Sequence, residues 1–173
     1  MPSLNDLTIS CPVAALDLLD WIVTCGTMQL QSISTLDLTD KAKTVLSKNL
    51  SHPNHRSLKP HYIFQVTEPT SRRSKIENFS NLKSLYGSFY AFHGSALENY
   101  HSILHNGLAI SLNKRGLFGA GTYLSSKLLT CIEYSPFGSN VYASTRKGLL
   151  GRRLSCVALC EVIDHPDVQS KSR

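Results

Sequence analysis

Residues 90–108, YAFHGSALENYHSILHNGL, set the imidazole of His93 beside the bare backbone of Gly94, just where an apolar run ends. Together these two can serve a ligand. The ring gives or takes a hydrogen bond, and a residue without a side chain lets a polar group come close to the main chain. His93 could equally satisfy a neighbouring carbonyl inside the fold, and a lone His-Gly pair does not decide between the two. Farther on, Gly121, Thr122 and Tyr123 follow about thirty residues after His93, and Tyr134 lies eleven residues beyond Tyr123. Other groups invite a metal reading. Cys156, Cys160 and His165 lie close in sequence, but their spacing fits no common zinc site. His101 and His105 are four apart, as in an H-E-x-x-H pair, yet position 102 is a serine and that motif's general base is missing. No metal is expected, and the two histidines read as solvent-facing.

The elements that must hold His93 and Gly94 can be read locally. Tyr90, Ala91 and Phe92 suit a short buried strand. Ser95 and Glu98 form an S-x-x-E capping box that predicts a helix start. Leu97, Tyr100, Ile103 and Leu104 recur at helical spacing, and Asn106-Gly107 closes the helix. Strand, turn and helix in that order leave His93 and Gly94 at a strand exit, where α/β folds tend to grip ligands. After them, Gly116, Gly119 and Gly121 surround Phe118 and lead into a strand-like Thr122-Tyr123-Leu124. Ser125 or Ser126 is placed to cap a helix over 127–134, which Pro136 stops. Residues 137–153 read as irregular, and 154–163, LSCVALCEVI, as a strand apolar on both faces, with no later strand to flank it.

Upstream, Ala15, Leu18, Leu19, Ile22 and Val23 predict an amphipathic helix over 12–29, and Leu38, Ala42, Val45 and Leu46 a second over 37–49. Together they make a small helical unit. The polar stretch 47–59, with Pro53 and Asn54, is the expected boundary, and the alternation of Tyr62, Phe64 and Val66 predicts a strand after it. Residues 68–81 read as a basic exposed loop.

The chain's 173 residues allow one domain, or a small helical piece joined to one. No run approaches the roughly 18 apolar residues of a membrane span, and MPSLNDLTIS lacks the pattern of a secretory signal, so a soluble, intracellular chain is expected. Five cysteines, an odd number in apolar contexts, argue for reduced thiols. The net charge of +6 favours anionic partners such as nucleotides. SRRSK and GRR lack interleaved aromatics, so neither sequence-specific nucleic acid nor a lipid surface is the expected partner.

Taken together, HGS at a strand end, GTY some thirty residues later and a helical tyrosine eleven residues beyond resemble the catalytic domain of the PARP-type, diphtheria-toxin-like ADP-ribosyltransferases. AFHGSALENYHSILHNGL, LNKRGLFGAGTYLSS, YSPFG and LSCVALCEVIDHPDV carry the likeness, and ALDLLDWIV adds an N-terminal helical match. Within that family the chain resembles the mono-transferases held in the endoplasmic reticulum membrane by a tail anchor. The resemblance implies an α+β fold: a split, mostly antiparallel ADP-ribosyltransferase sheet over 60–173, its C-terminal strands missing, preceded by a helical region over 1–50. It implies NAD as substrate and protein side chains as acceptors. His93 would bond the 2′-hydroxyl of the nicotinamide ribose, and Gly94, next to Ser95, would pair its backbone with the carboxamide. Tyr123 and Tyr134 would sandwich the cationic nicotinamide ring, each stacking contributing on the order of 1 kcal/mol. Residues 109–120 match the loop over the donor site, where Lys114 or Arg115 would meet the pyrophosphate or, equally, stand solvated.

Two departures stand out. Cys131 occupies the place of a serine that bonds the carboxamide in many relatives. The family's third signature position, a glutamate in polymerising members, lies on a strand beyond 154–163 and has no counterpart before Arg173. Weak NAD binding by the chain as given is the expectation. The resemblance thus implies a protein mono-ADP-ribosyltransferase, cytosolic as this chain and on the cytosolic face of the endoplasmic reticulum in its full-length relatives. The alternative is a catalytically silent module that keeps the fold.

Overall fold

Two antiparallel strand pairs organise the computed structural model, which describes residues 28–51, 59–68, 72–109, 121–136 and 154–168. β1 (Gln29–Ile33) pairs with β2 (Ile63–Thr67), in a register running from Gln29↔Thr67 to Ile33↔Ile63. β3 (Ser88–Gly94) pairs with β4 (Val157–Ile163), from Ser88↔Ile163 to Gly94↔Val157. Among the described residues these are separate two-stranded sheets. The helices are α1 (Asp40–Leu50), α2 (Arg73–Tyr86), α3 (Asn99–Asn106) and α4 (Leu128–Glu133), with a 3-10 turn at Thr35–Asp37. This mixture is the α+β arrangement of helices and small antiparallel sheets. None of the helices is long and apolar enough to cross a membrane among the described residues.

The core sits on one face of the β3–β4 pair. Residues directly opposite in an antiparallel ladder share a face, so Phe92 and Leu159 point the same way, as do Gly94 and Val157. Phe92, Leu128 and Cys131 are buried there against Ile132, Val157 and Leu159, and α1 covers them with Val45, Leu46 and Leu50. Phe92 is 2% exposed, a burial that contributes on the order of 2–3 kcal/mol. α1 begins where Thr39 accepts the Ala42 N–H, with Asp40 in its first turn and Lys48 in its last, each charge suited to its end of the helix dipole. Thus α1, read as part of the N-terminal helical region, shares its core with β3 and α4.

Several expectations are corrected. Residues 73–86 form α2, where 68–81 read as a basic loop. Ile76, Phe79 and Leu82 recur at helical spacing and Arg73 pairs with Glu77 at 2.8 Å across one turn, so the charges decorate a helix. Gly87, at φ 80°, ends α2 and turns the chain into β3. The second helix starts at Asp40, because Ser34 and Asp37 form their own capping box one turn earlier. The helix expected over 12–29 lies outside the described residues except at its end, where Gln29 opens a strand.

The capping box at Ser95 and Glu98 does not form. α3 begins after Glu98 with no side-chain cap, while the Ser95 hydroxyl accepts from Asn99 Nδ2 at 2.9 Å and its N–H donates to Ser135 Oγ at 3.1 Å. That distant partner keeps Ser95 aligned with the outgoing strand. At the other end Gly107 closes α3 as the spacing predicts. Thr122, Tyr123 and Leu124 are not a strand; only Ser125 bridges to Phe92. β4 pairs with β3 alone among the described residues, and each of its residues is half-buried, whereas the sequence predicts a strand covered on both sides.

Candidate active site

The exit of β3 is fixed from three directions. Along one edge, Phe92 exchanges both backbone hydrogen bonds with Ser125, at 2.8 and 2.9 Å. Backbone N–H and C=O groups of a strand alternate between its edges, so Gly94, two residues on, turns its own pair to that same edge, away from β4. Between them, the His93 ring places Nδ1 2.9 Å from the Tyr123 carbonyl. A carbonyl only accepts, so Nδ1 carries the proton; in the neutral ring Nε2 is then left as an acceptor. The two readings of His93 are therefore compatible, since one nitrogen satisfies a carbonyl and the other remains for a ligand.

Gly94 packs against the end of α4. A Cβ built there would stand 1.9 Å from the Cys131 carbonyl oxygen and 2.7 Å from its carbon, so no side chain fits at this position. The same carbonyl accepts the Tyr134 N–H at 3.1 Å and the Ser135 hydroxyl at 3.0 Å. Ser135, 2% exposed, also accepts the Ser95 N–H, and its carbonyl accepts the Ser155 hydroxyl at 2.6 Å. Below the strand exit, the buried Tyr100 hydroxyl lies 3.1 Å from both the His93 and the Cys156 carbonyls. Burial pushes its phenol far above the usual value, so it stays a protonated donor.

His93 is thus held to Tyr123 through its ring, Gly94 and Tyr134 both lie against the Cys131 carbonyl, and Tyr123 and Tyr134 are 37% and 57% exposed. Cys131, expected at the cofactor site in place of a carboxamide-bonding serine, is 4% exposed and gives its thiol proton to the Phe92 carbonyl at 3.1 Å. Burial pushes that thiol's pKa up, opposed by the N–H groups of Ser125 and Gly94. Both polar groups of Ser95 meet protein partners. Lys114 and Arg115 lie outside the described residues.

α4 owes its start to α1. Asn49 Oδ1 accepts the Leu128 N–H at 2.9 Å while Asn49 Nδ2 donates to the Ser126 carbonyl at 3.2 Å; nearer in sequence, Ser125 Oγ accepts the Lys127 N–H at 3.1 Å. The His101 and His105 rings stack with centroids 4.2 Å apart, and no group of three potential metal ligands occurs among the described residues. An open groove of about 420 Å³ lies at the other end of β3, lined by Asp40, Lys41, Thr44, Val45, Phe89 and Tyr90; it includes none of the four residues above.

Sequence reasoning missed Ser135, the Tyr100 hydroxyl and Asn49. Tyr100 reads as one more member of an apolar stripe and Asn49 as the end of a helix. Only Ser135 carried a signal, as a small polar residue directly after Tyr134 at a helix C-terminus.

The poly(ADP-ribose) polymerase catalytic domain family matches residues 40–172. The mouse protein mono-ADP-ribosyltransferase PARP16 is 41% identical over 175 residues, covering 98% of this chain and 50% of that protein. Its human counterpart is 41% identical over 160 residues, covering 92% of this chain and 46% of its own length. Mouse PARP8, also a protein mono-ADP-ribosyltransferase, is 37% identical over 159 residues, covering 72% of this chain and 18% of its own. The chain spans about half the length of the PARP16 proteins it matches. A family match over most of the sequence agrees with the strand exit that the coordinates assemble, and the chain belongs to the poly(ADP-ribose) polymerase catalytic domain family.

Proposed function

We propose that this chain carries the donor-binding part of an NAD-dependent protein mono-ADP-ribosyltransferase. The observation that carries the reading is the hydrogen bond from His93 Nδ1 to the Tyr123 carbonyl. It ties the strand exit to the first tyrosine and leaves Nε2 to accept from a ribose hydroxyl. Tyr123 and Tyr134 stack on the nicotinamide ring, a cation attracted by aromatic faces, and Gly94 pairs its N–H and C=O with the carboxamide. Held there, the donor's bond from ribose C1′ to the nicotinamide nitrogen breaks. The bonding pair leaves with neutral nicotinamide, positive charge develops on the ribose, and a protein nucleophile bonds to C1′ as it loses its proton. The chain's own contribution is orientation.

The PARP16 proteins named as mono-ADP-ribosyltransferases support single transfer rather than chain growth. We further place the whole protein on the cytosolic face of the endoplasmic reticulum through a tail anchor, following the resemblance of its motifs.

Full-length protein with labelled NAD tests the activity. It should acquire one ADP-ribose per modified site, and His93→Ala should lower the rate about tenfold or more. Undiminished labelling in a folded His93→Ala variant overturns the assignment. A full-length protein that binds NAD in calorimetry neither before nor after acceptor is added is instead a silent module.

A further inference from the structure

Resting on that reading of Gly94, we infer that Tyr100 and Ser135 are positioning residues that aim its backbone at the carboxamide. In a trans peptide the C=O and N–H of one planar unit point in opposite directions. The Gly94 N–H belongs to the same plane as the His93 carbonyl, and the Gly94 carbonyl to the same plane as the Ser95 N–H. Both outer groups lie on the β4 side of the strand and meet side-chain hydroxyls as well: Tyr100 OH divides its single proton between the His93 and Cys156 carbonyls, each at 3.1 Å, and Ser135 Oγ accepts the Ser95 N–H at 3.1 Å. Each hydroxyl therefore adds to the β3–β4 ladder a further restraint on the tilt of one plane and so on the direction of the inner group that faces the ligand.

Chemistry and surroundings suit both hydroxyls to the task. Ser135 gives its own proton to the Cys131 carbonyl, which leaves its lone pairs to accept from Ser95. It is 2% exposed, and Tyr100 9%, so water does not compete strongly for either. Glycine is the residue whose planes most need such control, because no Cβ restricts its torsions. The close approach of the Cys131 carbonyl blocks the substitution that would stiffen it. Two hydroxyls acting on the neighbouring planes add to the ladder the order that the glycine lacks.

The test uses two ligands and the full-length protein. Nicotinamide has the carboxamide but no ribose, whereas NAD has both. Tyr100→Phe and Ser135→Ala should each weaken nicotinamide and NAD alike, by about fivefold, and raise KM for NAD while kcat holds. His93→Ala should weaken NAD more than nicotinamide, because it loses the ribose bond as well as the tie to Tyr123. Ser135→Thr, which keeps the hydroxyl, should restore affinity to Ser135→Ala. Melting temperatures and the number of binding sites are read alongside. Variants that bind nicotinamide as the parent does overturn the inference. So does a loss confined to the number of folded sites, with affinity per site unchanged, because that marks a merely structural role. If the unsubstituted protein binds neither ligand, the donor-site reading itself fails and the clamp falls with it, a result distinct from failure of the variants alone.

Discussion

The β3–β4 pair and the β1–β2 pair have the same antiparallel geometry, with seven and five matched residues. They differ in what covers them. Phe92 and Ala91 of β3 are 2% and 4% exposed beneath packed neighbours, whereas Leu30, Phe64 and Val66 of the other pair are 53%, 41% and 46% exposed. A two-stranded ribbon is marginal by itself in water; packing against helices gives a pair independent stability. The site therefore rests on the covered pair, where the backbone is held tightly enough for single hydrogen bonds to aim it.

The comparison breaks if apolar truncation costs the same in both places. Phe92→Ala should destabilise by about 3–5 kcal/mol, and Leu30→Ala by no more than about 0.5 kcal/mol, in denaturant unfolding of the full-length protein. Equal losses would show that β1–β2 belongs to the same cooperative unit. Asn49→Ala sharpens the contrast. It removes the cap that α1 lends to α4, so about 1 kcal/mol should be lost, with faster amide exchange at Leu128 than in the parent.

The smallest effect is expected where the covered pair meets α2. Burial pushes the Glu161 carboxyl up, but Lys83 and Ser88, each 2.6 Å from its Oε1, together hold it below its ordinary value. Lys83 is raised above its ordinary value by the hydrogen bond to Glu161. A carboxyl lowered in the folded state stabilises above its unfolded value near 4.5, and that contribution fades as pH falls through the lower folded one. A raised lysine stabilises below 10.5 and loses that contribution as pH rises through its higher folded value. Glu161→Gln should therefore lower the melting temperature slightly near neutral pH, with the difference closing in acid. The pair is partly exposed, with side chains 46% and 23% accessible, which keeps the effect small. A difference that persists unchanged in acid would assign the effect to packing.

How far the sequence could be read depended on the range of the interaction. β3 follows from a continuous apolar stretch, and α3 from Tyr100, Ile103 and Leu104 recurring at helical spacing before Gly107. α2 was legible from Ile76, Phe79 and Leu82 but hidden by the charges between them. The failed cap at Ser95 shows the limit from the other side. A local motif was present, and a partner forty residues away took the residue for another purpose.

By itself the sequence determined which residues could do chemistry and which segments would be strand or helix, because periodicity and backbone preference act over a few neighbours. It placed His93 and Gly94 at a strand exit and set Tyr123 and Tyr134 eleven residues apart. Only the tertiary structure decided that the Tyr123 carbonyl would fix the His93 tautomer, that the Cys131 carbonyl would leave no room for a Cβ at position 94, and that two hydroxyls would hold the planes on either side of it. The direction of a peptide plane depends on atoms brought together by packing, and no spacing along the chain encodes it.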